Sequence, residues 1–286
     1  IRLDLEVIPP DVFLPDAEAV TVSGVRDVHS FVYRPRNPDY SAPPGELPPF
    51  IAVVHGGPTA RHSPELNLNY AFFTSRGIGI IDINYRGPSG YGRKYPEQPN
   101  GPWGTVDVED TIAAISGLAD AGIADPARLA IRGGSAGGWT VLAALVSSDV
   151  FACGVSYYGV ADLRALAEDT HDFEARYLDG LVGPLPDAAQ VYHDRAPINR
   201  VNDLSCPVLL LQGLDDPVVP PSQSEAFRDA LVTKGIRHAY LTYEGESHGF
   251  RKAETIIHSI QSELSFYGQV MGFETPDTPE LKLWTP

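Results

Sequence analysis

Short apolar runs alternate with longer helix-like segments along most of the chain. The short runs are rich in valine, isoleucine and leucine, and their near-continuous apolar content is typical of parallel strands covered on both faces. The alternation of such strands with helices predicts an α/β fold, in which helices pack on both faces of a mostly parallel sheet. We expect strands near residues 19–22, 28–34, 50–55, 78–84, 128–133, 152–158, 208–213 and 239–244, and helices near residues 66–75, 106–121, 137–146, 222–234 and 255–270.

The same pattern predicts one α/β domain with short flanking segments. We assign residues 1–18 to an N-terminal extension or to a linker from an upstream domain, residues 19–275 to the domain itself, and residues 276–286 to a C-terminal tail. The proline-rich stretch Arg36–Pro49 predicts a surface loop. The long mixed segment Asp162–Arg195 predicts a helical insertion that lies over one end of the sheet.

Composition narrows the class of protein. Of 286 residues, 43% are hydrophobic, and the formal net charge of −16 argues against nucleic-acid binding, because phosphates would be repelled. No apolar run approaches the ~18 residues of a membrane span, and no basic, apolar leader is visible. Cys153 and Cys206 lie in apolar contexts, which predicts buried free thiols and a cytoplasmic location, although the sequence leaves a disulfide open.

A serine stands among four glycines where a predicted strand meets a predicted helix, in the stretch IRGGSAGGW. The spacing Gly133-x-Ser135-x-Gly137 is that of a nucleophile elbow, a sharp turn that lifts a serine hydroxyl above the end of a sheet. Small residues are required two positions before and after the serine, because strand and helix nearly collide there. The alternative is a tight strand–helix corner without chemistry.

A nucleophilic serine needs a base, and the base needs a carboxylate that orients it. In this type of fold the chain order is serine, acid, histidine. The stretch CPVLLLQGLDDPVVP ends a strand with two candidate acids, Asp215 and Asp216, and YLTYEGESHGF ends the next strand with His248. The other seven histidines lie in less suitable positions, and His55 is expected to shape the loop that follows its strand.

Five motifs together resemble the catalytic domain of the prolyl oligopeptidase family, in the branch of acylaminoacyl peptidases and dipeptidyl peptidases. The resemblance covers about residues 20–273 and implies that residues 19–275 form an α/β-hydrolase catalytic domain with an eight-stranded, mostly parallel sheet. It also implies that the acid is Asp216, three residues after Gly213, and that Asp215 is an exposed or loop-bracing neighbour. The motifs are VVHGGPT, NYRGPSGYG, GGSAGGW, QGLDDPVVPP and GESHGF.

The remaining candidate site residues surround this triad. A tetrahedral intermediate needs two N–H donors, and the backbone amide of Ala136, directly after the serine, is one candidate. The resemblance implies that Gly57 supplies the second. Tyr157, Tyr158 and Val160 are candidates for the specificity pocket, with core packing as the alternative.

The glycine-rich loop around Arg86 lacks the spacing of a dinucleotide fingerprint and is expected to brace the rim of the active site. No spacing of histidine, cysteine or carboxylate residues suggests a metal site, and we predict neither a metal nor a cofactor.

The expected reaction is hydrolysis of a peptide or acyl-amide bond of a short peptide through an acyl-enzyme on Ser135. The same site could serve an esterase, an amide-forming acyltransferase or a peptide cyclase, and a non-catalytic partner domain is a further alternative. Members of this family usually carry an N-terminal β-propeller, for which this chain has no room. We therefore expect that a propeller was removed, is a separate chain or is absent, and a homo-oligomer remains possible.

Overall fold

Eight strands form one sheet in the computed structural model, which describes residues 9–23, 27–86, 103–169 and 177–286. The strand order is β1-β2-β4-β3-β5-β6-β7-β8, in which β1, β2 and β4 pair antiparallel and every other pair is parallel. The fold class and all eight strand positions are as the sequence predicted. The strands are β1 (Glu18–Val22), β2 (Val28–Tyr33), β3 (Phe50–Val54), β4 (Gly79–Asn84), β5 (Leu129–Gly134), β6 (Cys153–Tyr157), β7 (Val208–Gly213) and β8 (His238–Tyr243).

Helices cover both faces of the sheet, and each face has its own cluster of buried apolar side chains. Helices α2, α3 and α7 contribute to the cluster on one face, whereas α1 and α8 contribute to the cluster on the other. Every residue of α3 is buried, which suits a helix that is apolar around its whole circumference. The helices are α1 (Leu68–Thr74), α2 (Val106–Asp120), α3 (Ala136–Leu145), α4 (Leu163–Asp169), α5 (Tyr177–Leu181), α6 (Ala189–Arg195), α7 (Pro221–Lys234) and α8 (Ala253–Met271).

The central strands β3, β5, β6 and β7 are buried along almost their whole length, as their continuous apolar sequences predict. Because these strands run parallel, their carboxyl ends meet at one edge of the sheet, where open α/β sheets place their sites. The loops after β3, β5, β7 and β8 carry the residues that the sequence analysis proposed as oxyanion donor, nucleophile, acid and base, respectively. The topology thus gathers at one edge motifs that are far apart in the sequence.

The described residues of the predicted insertion, 162–169 and 177–195, include three short helices, α4, α5 and α6. Its buried side chains, which include Leu163, Leu178 and Tyr192, join the core cluster that α3 also contributes to. Cys153 and Cys206 are both buried and free, as the sequence predicted. Among the described helices, none combines the length and the apolar composition needed to cross a lipid bilayer.

The C-terminal tail covers the edge of the sheet at β8. The backbone of Trp284 exchanges two hydrogen bonds with that of His238, at 2.7 and 3.1 Å, and their rings lie 4.9 Å apart. Nearby, the backbone N–H of Leu281 donates to Ser265 Oγ at 2.8 Å, and the Leu281 side chain is buried. These contacts protect an otherwise open strand edge.

We expect Leu281→Ala to lower the free energy of unfolding by about 2–5 kcal/mol, because the substitution leaves a cavity in the core beneath α8. Chemical denaturation monitored by circular dichroism measures this change. Lys282→Ala is the matched control, since its side chain is exposed in the same tail and its removal should change stability by less than about 0.5 kcal/mol. Equal effects of the two substitutions would contradict a structural role for the tail.

Candidate active site

Ser135 lies at the sharp corner between β5 and α3, in a strained backbone conformation. Its φ of 57° and ψ of −122° are rarely adopted by residues other than glycine, at a cost of roughly 1–3 kcal/mol. The corner is fixed on both sides, because the N–H of Ser135 donates to Tyr157 O at 3.0 Å and its carbonyl accepts from Trp139 N at 3.0 Å. Such over-determined strain is typical of functional sites.

The glycines at the corner are required by close backbone packing. A Cβ added to Gly137 would lie 2.4 Å from Val54 O, and one added to Gly133 would lie 2.6 Å from the carbonyl of Gly137. Both distances are shorter than real Cβ contacts, so a side chain at either position would push α3 away from β3 and β5. The spacing of the motif therefore has the steric cause that the sequence predicted.

The structure brings Ser135, His248 and Asp216 into one hydrogen-bonded chain. His248 Nε2 lies 2.9 Å from Ser135 Oγ, and His248 Nδ1 lies 2.8 Å from Asp216 Oδ2. Because a carboxylate only accepts hydrogen bonds, Nδ1 carries the proton and Nε2 is left as the acceptor of the serine hydroxyl. The side chain of Asp216 is fully buried, whereas that of His248 is 24% exposed, so the imidazole faces the open side of the site.

The acid is held in one orientation by its own loop. The second oxygen of Asp216, Oδ1, accepts the backbone N–H groups of Val218 and Val219, each at 2.9 Å. The adjacent Asp215 is exposed and is attached through its backbone N–H, which donates to Glu246 O at 2.9 Å. Of the two candidate acids, Asp216 is the one whose carboxylate contacts the imidazole.

Glu246 is a residue of this site that the sequence analysis did not identify. Its buried carboxylate accepts the backbone N–H groups of Arg251 and Lys252, both at 2.9 Å, and thereby closes the loop that carries His248. Burial opposes ionisation of Glu246, but these backbone hydrogen bonds prevail and lower the pKa of the carboxyl. The only sequence signal is a glutamate two residues before the histidine, which does not distinguish it from an exposed residue.

The loop after β3 passes directly beside the serine. A Cβ added to Gly56 would lie 2.9 Å from Gly134 O and 3.5 Å from Ser135 Cβ, so only glycine permits this approach. Gly57 has a φ of 59°, and its carbonyl accepts the N–H of Ala60 at 2.8 Å in a tight turn. On the other side of the serine, Ala136 is the first residue of α3, where backbone N–H groups lack acceptors within the helix.

The three candidate pocket residues have different surroundings. The hydroxyl of Tyr157 donates to the buried carboxylate of Glu263 at 2.6 Å. Val160 is 3% exposed and belongs to the core cluster on the other face of the sheet, which α3 also contributes to. Tyr158 is partly exposed, and its ring lies 4.9 Å from that of His248 and 5.4 Å from that of Phe250. Tyr157 and Val160 thus have the contacts of core residues, and Tyr158 alone of the three contacts the histidine.

Arg86 is bound to α2. Its Nε donates to Asp110 at 2.8 and 3.0 Å, and its backbone N–H donates to the same carboxylate at 2.9 Å. The glycines that follow it in the motif, Gly87, Gly90 and Gly92, lie outside the described residues. Within the described ranges, no cluster of three or more histidine, cysteine or acidic side chains is arranged to hold a metal ion.

Comparison with known proteins identifies the family. The model of the prolyl oligopeptidase family matches residues 64–274. A puromycin-hydrolysing peptidase of Mycobacterium tuberculosis is 55% identical and superimposes with a TM-score of 0.97 over 100% of this chain and 44% of its own. Dipeptidyl peptidase family member 6 of Caenorhabditis elegans is 31% identical over 79% of this chain. An acylamino-acid-releasing enzyme of Arabidopsis thaliana is 30% identical over 76% of it.

The chain spans about a third of the length of these curated relatives, 31% of the nematode protein and 29% of the plant enzyme. The match includes the strand–turn–helix corner at Ser135 and the loops that carry Asp216 and His248, all of which lie within residues 64–274. The α/β-hydrolase fold and the resemblance drawn from five motifs are both confirmed. The chain belongs to the prolyl oligopeptidase family of serine peptidases.

Proposed function

We propose that this chain hydrolyses aminoacyl-amide and short-peptide bonds through an acyl-enzyme on Ser135. The observation that carries the proposal is the hydrogen-bonded chain from Ser135 through His248 to Asp216, with both contacts below 3 Å. A buried acid, an imidazole on the open side and a strained serine are the combination that acyl transfer requires. A non-catalytic partner domain would not need this arrangement.

In this mechanism, His248 Nε2 takes the proton of Ser135 as Oγ attacks the carbonyl carbon of the substrate. Asp216 holds the imidazole in the correct tautomer and stabilises the positive charge that forms on it. His248 then gives the proton to the leaving amine, and the acyl group stays on Ser135 as an ester. A water molecule, activated by the same imidazole, releases the acid and restores the serine hydroxyl.

The oxyanion of each tetrahedral intermediate needs two fixed donors. We assign these to the backbone N–H groups of Ala136 and Gly57, which lie on either side of the serine. The start of α3 contributes a favourable dipole at the same point. Removing one such donor in a serine protease lowers kcat by about 10²–10³-fold. The position of the loop after β3 should therefore affect kcat directly.

The substrate class follows from the surroundings of His248 and from the relatives. The Tyr158 ring lies beside the imidazole, and the Phe250 ring packs edge-on against Tyr158. This aromatic pair suits an apolar or aromatic acyl group. We therefore assign the pocket role to Tyr158 and not to Tyr157 or Val160. The similar peptidase of Mycobacterium tuberculosis hydrolyses puromycin, an amide of an aromatic amino acid, and we propose puromycin as a substrate of this chain.

Assays with four substrates test this proposal: puromycin, a free dipeptide amide, a blocked dipeptide amide of the same sequence, and a simple activated ester. We expect hydrolysis of puromycin and of at least one amide, with products identified by mass spectrometry. Preference for the free dipeptide amide would indicate a dipeptidyl-peptidase type of specificity, and preference for the blocked one an acylaminoacyl type. Turnover of the ester without measurable turnover of any amide would contradict the peptidase proposal and favour an esterase.

The same assay distinguishes hydrolysis from acyl transfer. An acyl-enzyme can react with an added amine as well as with water, and the two products differ in mass. We expect the free acid to dominate when an amino-acid amide is present at millimolar concentration. Dominant formation of the new amide would instead identify an acyltransferase or a cyclase that uses the same three residues.

A further inference from the structure

The direction of the proposed oxyanion donor is set by the peptide group between Gly56 and Gly57. His55 Nδ1 lies 3.3 Å from Gly56 O, and burial lowers the pKa of His55 to about 4, so that its ring is neutral near pH 7. The C=O and N–H bonds of a trans peptide point in opposite directions. A hydrogen bond from His55 Nδ1 to Gly56 O therefore fixes where the N–H of Gly57 points.

His62, at the far end of the same loop, is bound to β4 by two backbone hydrogen bonds, and its ring lies against a buried carboxylate. Its backbone N–H donates to Asn84 Oδ1 at 2.7 Å, and its carbonyl accepts from Asn84 Nδ2 at 3.3 Å. Its Nδ1 lies 2.8 Å from Oδ1 of Asp82, whose side chain is 2% exposed. Asp82 and Asn84 are two positions apart on one strand, so they present their side chains to the same face of the sheet.

The two histidine rings are in direct contact. The His62 ring meets the His55 ring edge-on, with centroids 5.2 Å apart, and the Tyr85 ring stacks on His55 at 4.1 Å. Burial raises the pKa of the Asp82 carboxyl, and the adjacent His62 imidazole opposes that rise. The ring that binds the Gly56 carbonyl thus contacts Tyr85 and an imidazole that lies against a buried carboxylate.

We propose that Asp82 and His62 are positioning residues for the oxyanion site, which act through the His55 ring on the Gly57 N–H. This inference rests on the proposed function, because it concerns the donor that stabilises the tetrahedral intermediate. Asp82 in β4 pairs with Val53 in β3, and Val53 stands two residues before His55. A buried position of the sheet thus lies next to the start of the loop that we propose contacts the substrate. The described hydrogen bonds, ion pairs and ring contacts of the two residues do not include Ser135, so we expect them to act on the geometry of the loop and not on the nucleophile directly.

The test compares His62→Gln and Asp82→Asn with the wild-type chain in steady-state turnover of puromycin or of the best amide. We expect kcat to fall about 10- to 100-fold, with KM within about twofold, since losing one oxyanion donor entirely costs about 10²–10³-fold. The affinity for a peptidyl trifluoromethyl ketone, which forms a tetrahedral adduct with serine, should fall by the same factor as kcat/KM.

His238→Gln is the matched control. His238 is also buried, its Nδ1 lies 2.8 Å from a backbone carbonyl, and its position in β8 is far from the loop after β3 in the strand order. We expect this variant to lose stability without losing ketone affinity. The double variant of His55→Gln with His62→Gln should be no slower than the slower single variant, because both act through one hydrogen bond.

Three results would overturn the inference. One is a His62→Gln variant that shifts the melting temperature and leaves kcat and ketone affinity at wild-type values. If Asp82→Asn does not fold, the His62→Gln variant alone tests the inference. The second is full additivity of the His55 and His62 substitutions. The third is a wild-type chain that neither turns over an amide nor binds the ketone, a result that refutes the proposed function itself. By contrast, a wild-type chain with normal activity and variants with unchanged activity would refute only this inference.

Discussion

Replacement of Ser135 by alanine is expected to lower kcat/KM for puromycin and dipeptide amides by about 10⁴-fold or more. In the proposed mechanism the hydroxyl oxygen of Ser135 forms the acyl-enzyme, and no neighbouring group in the described part of the site can replace it. Its hydrogen bond at 2.9 Å goes to His248, on the open side of the site, so its loss should leave the fold intact. Steady-state kinetics with equal amounts of folded protein, checked by circular dichroism, measure the effect.

Labelling with a fluorophosphonate probe provides an independent measurement of the same prediction. The probe reacts with an activated serine, so the wild-type chain should gain one label at Ser135 and the alanine variant none. Ser222→Ala is the control, because this serine is exposed in the first turn of α7 and should not affect either readout. Turnover by the Ser135→Ala variant above about 1% of wild type would show that another residue carries the chemistry.

The secondary structure could be predicted from sequence because the elements that build the sheet have strong local signals. β7 is predicted and observed at Val208–Gly213, and its continuous apolar run matches a strand buried on both faces. The corner at Ser135 could be predicted because its glycine spacing stands in one short stretch of sequence, although one contact that requires glycine, that of Gly137 with Val54 O, is made by the distant strand β3. Local pattern and tertiary structure agree at these points, as expected of a sequence that specifies one fold.

The surroundings of Tyr157 and Tyr158 could not be predicted in this way. Tyr158 follows the last residue of β6 with a φ of 37°, so the alternation of side chains along a strand does not extend to it. Both rings therefore lie on the same face of the sheet, 6.2 Å apart, which the sequence does not reveal. Tyr157 is held by Glu263, which is 106 positions further along the chain and also accepts the hydroxyl of Tyr267 at 2.6 Å. Only the packing of α8 against β6 determines that contact.

The contact between His62 and Asp82 could not be predicted from sequence either, because it too depends on tertiary structure. A histidine in a loop rich in small and polar residues resembles a surface residue, and a lone aspartate in an apolar strand could be a misplaced strand boundary. Their pairing depends on the loop after β3 folding back over β4, which neither local pattern reveals. A buried carboxylate is costly without a partner, so an aspartate within the run IIDIN is itself a signal that a hydrogen-bond donor must lie nearby.

The substitution Asp216→Asn is expected to lower kcat by roughly 10⁴-fold while leaving substrate binding nearly unchanged. Oδ1 of Asp216 accepts two backbone N–H groups, from Val218 and Val219. The asparagine side chain will keep its carbonyl oxygen at that position, because its NH₂ group cannot accept hydrogen bonds. The NH₂ group then faces His248 Nδ1, which must become an acceptor, and the proton of the imidazole moves to Nε2, where it blocks removal of the serine proton.

Asp215→Asn is the matched control, because it makes the same chemical change one residue earlier in the same loop. Asp215 is exposed, and its described attachment to the loop is a backbone hydrogen bond to Glu246 O that the substitution retains. We expect its kcat to stay within a few-fold of wild type, and both variants to keep their fluorophosphonate-reactive serine accessible even where the rate of labelling falls. If Asp215→Asn proved the more damaging of the two, the acid would be assigned to the wrong residue, and the contact between Asp216 Oδ2 and His248 Nδ1 would not be the one used in turnover.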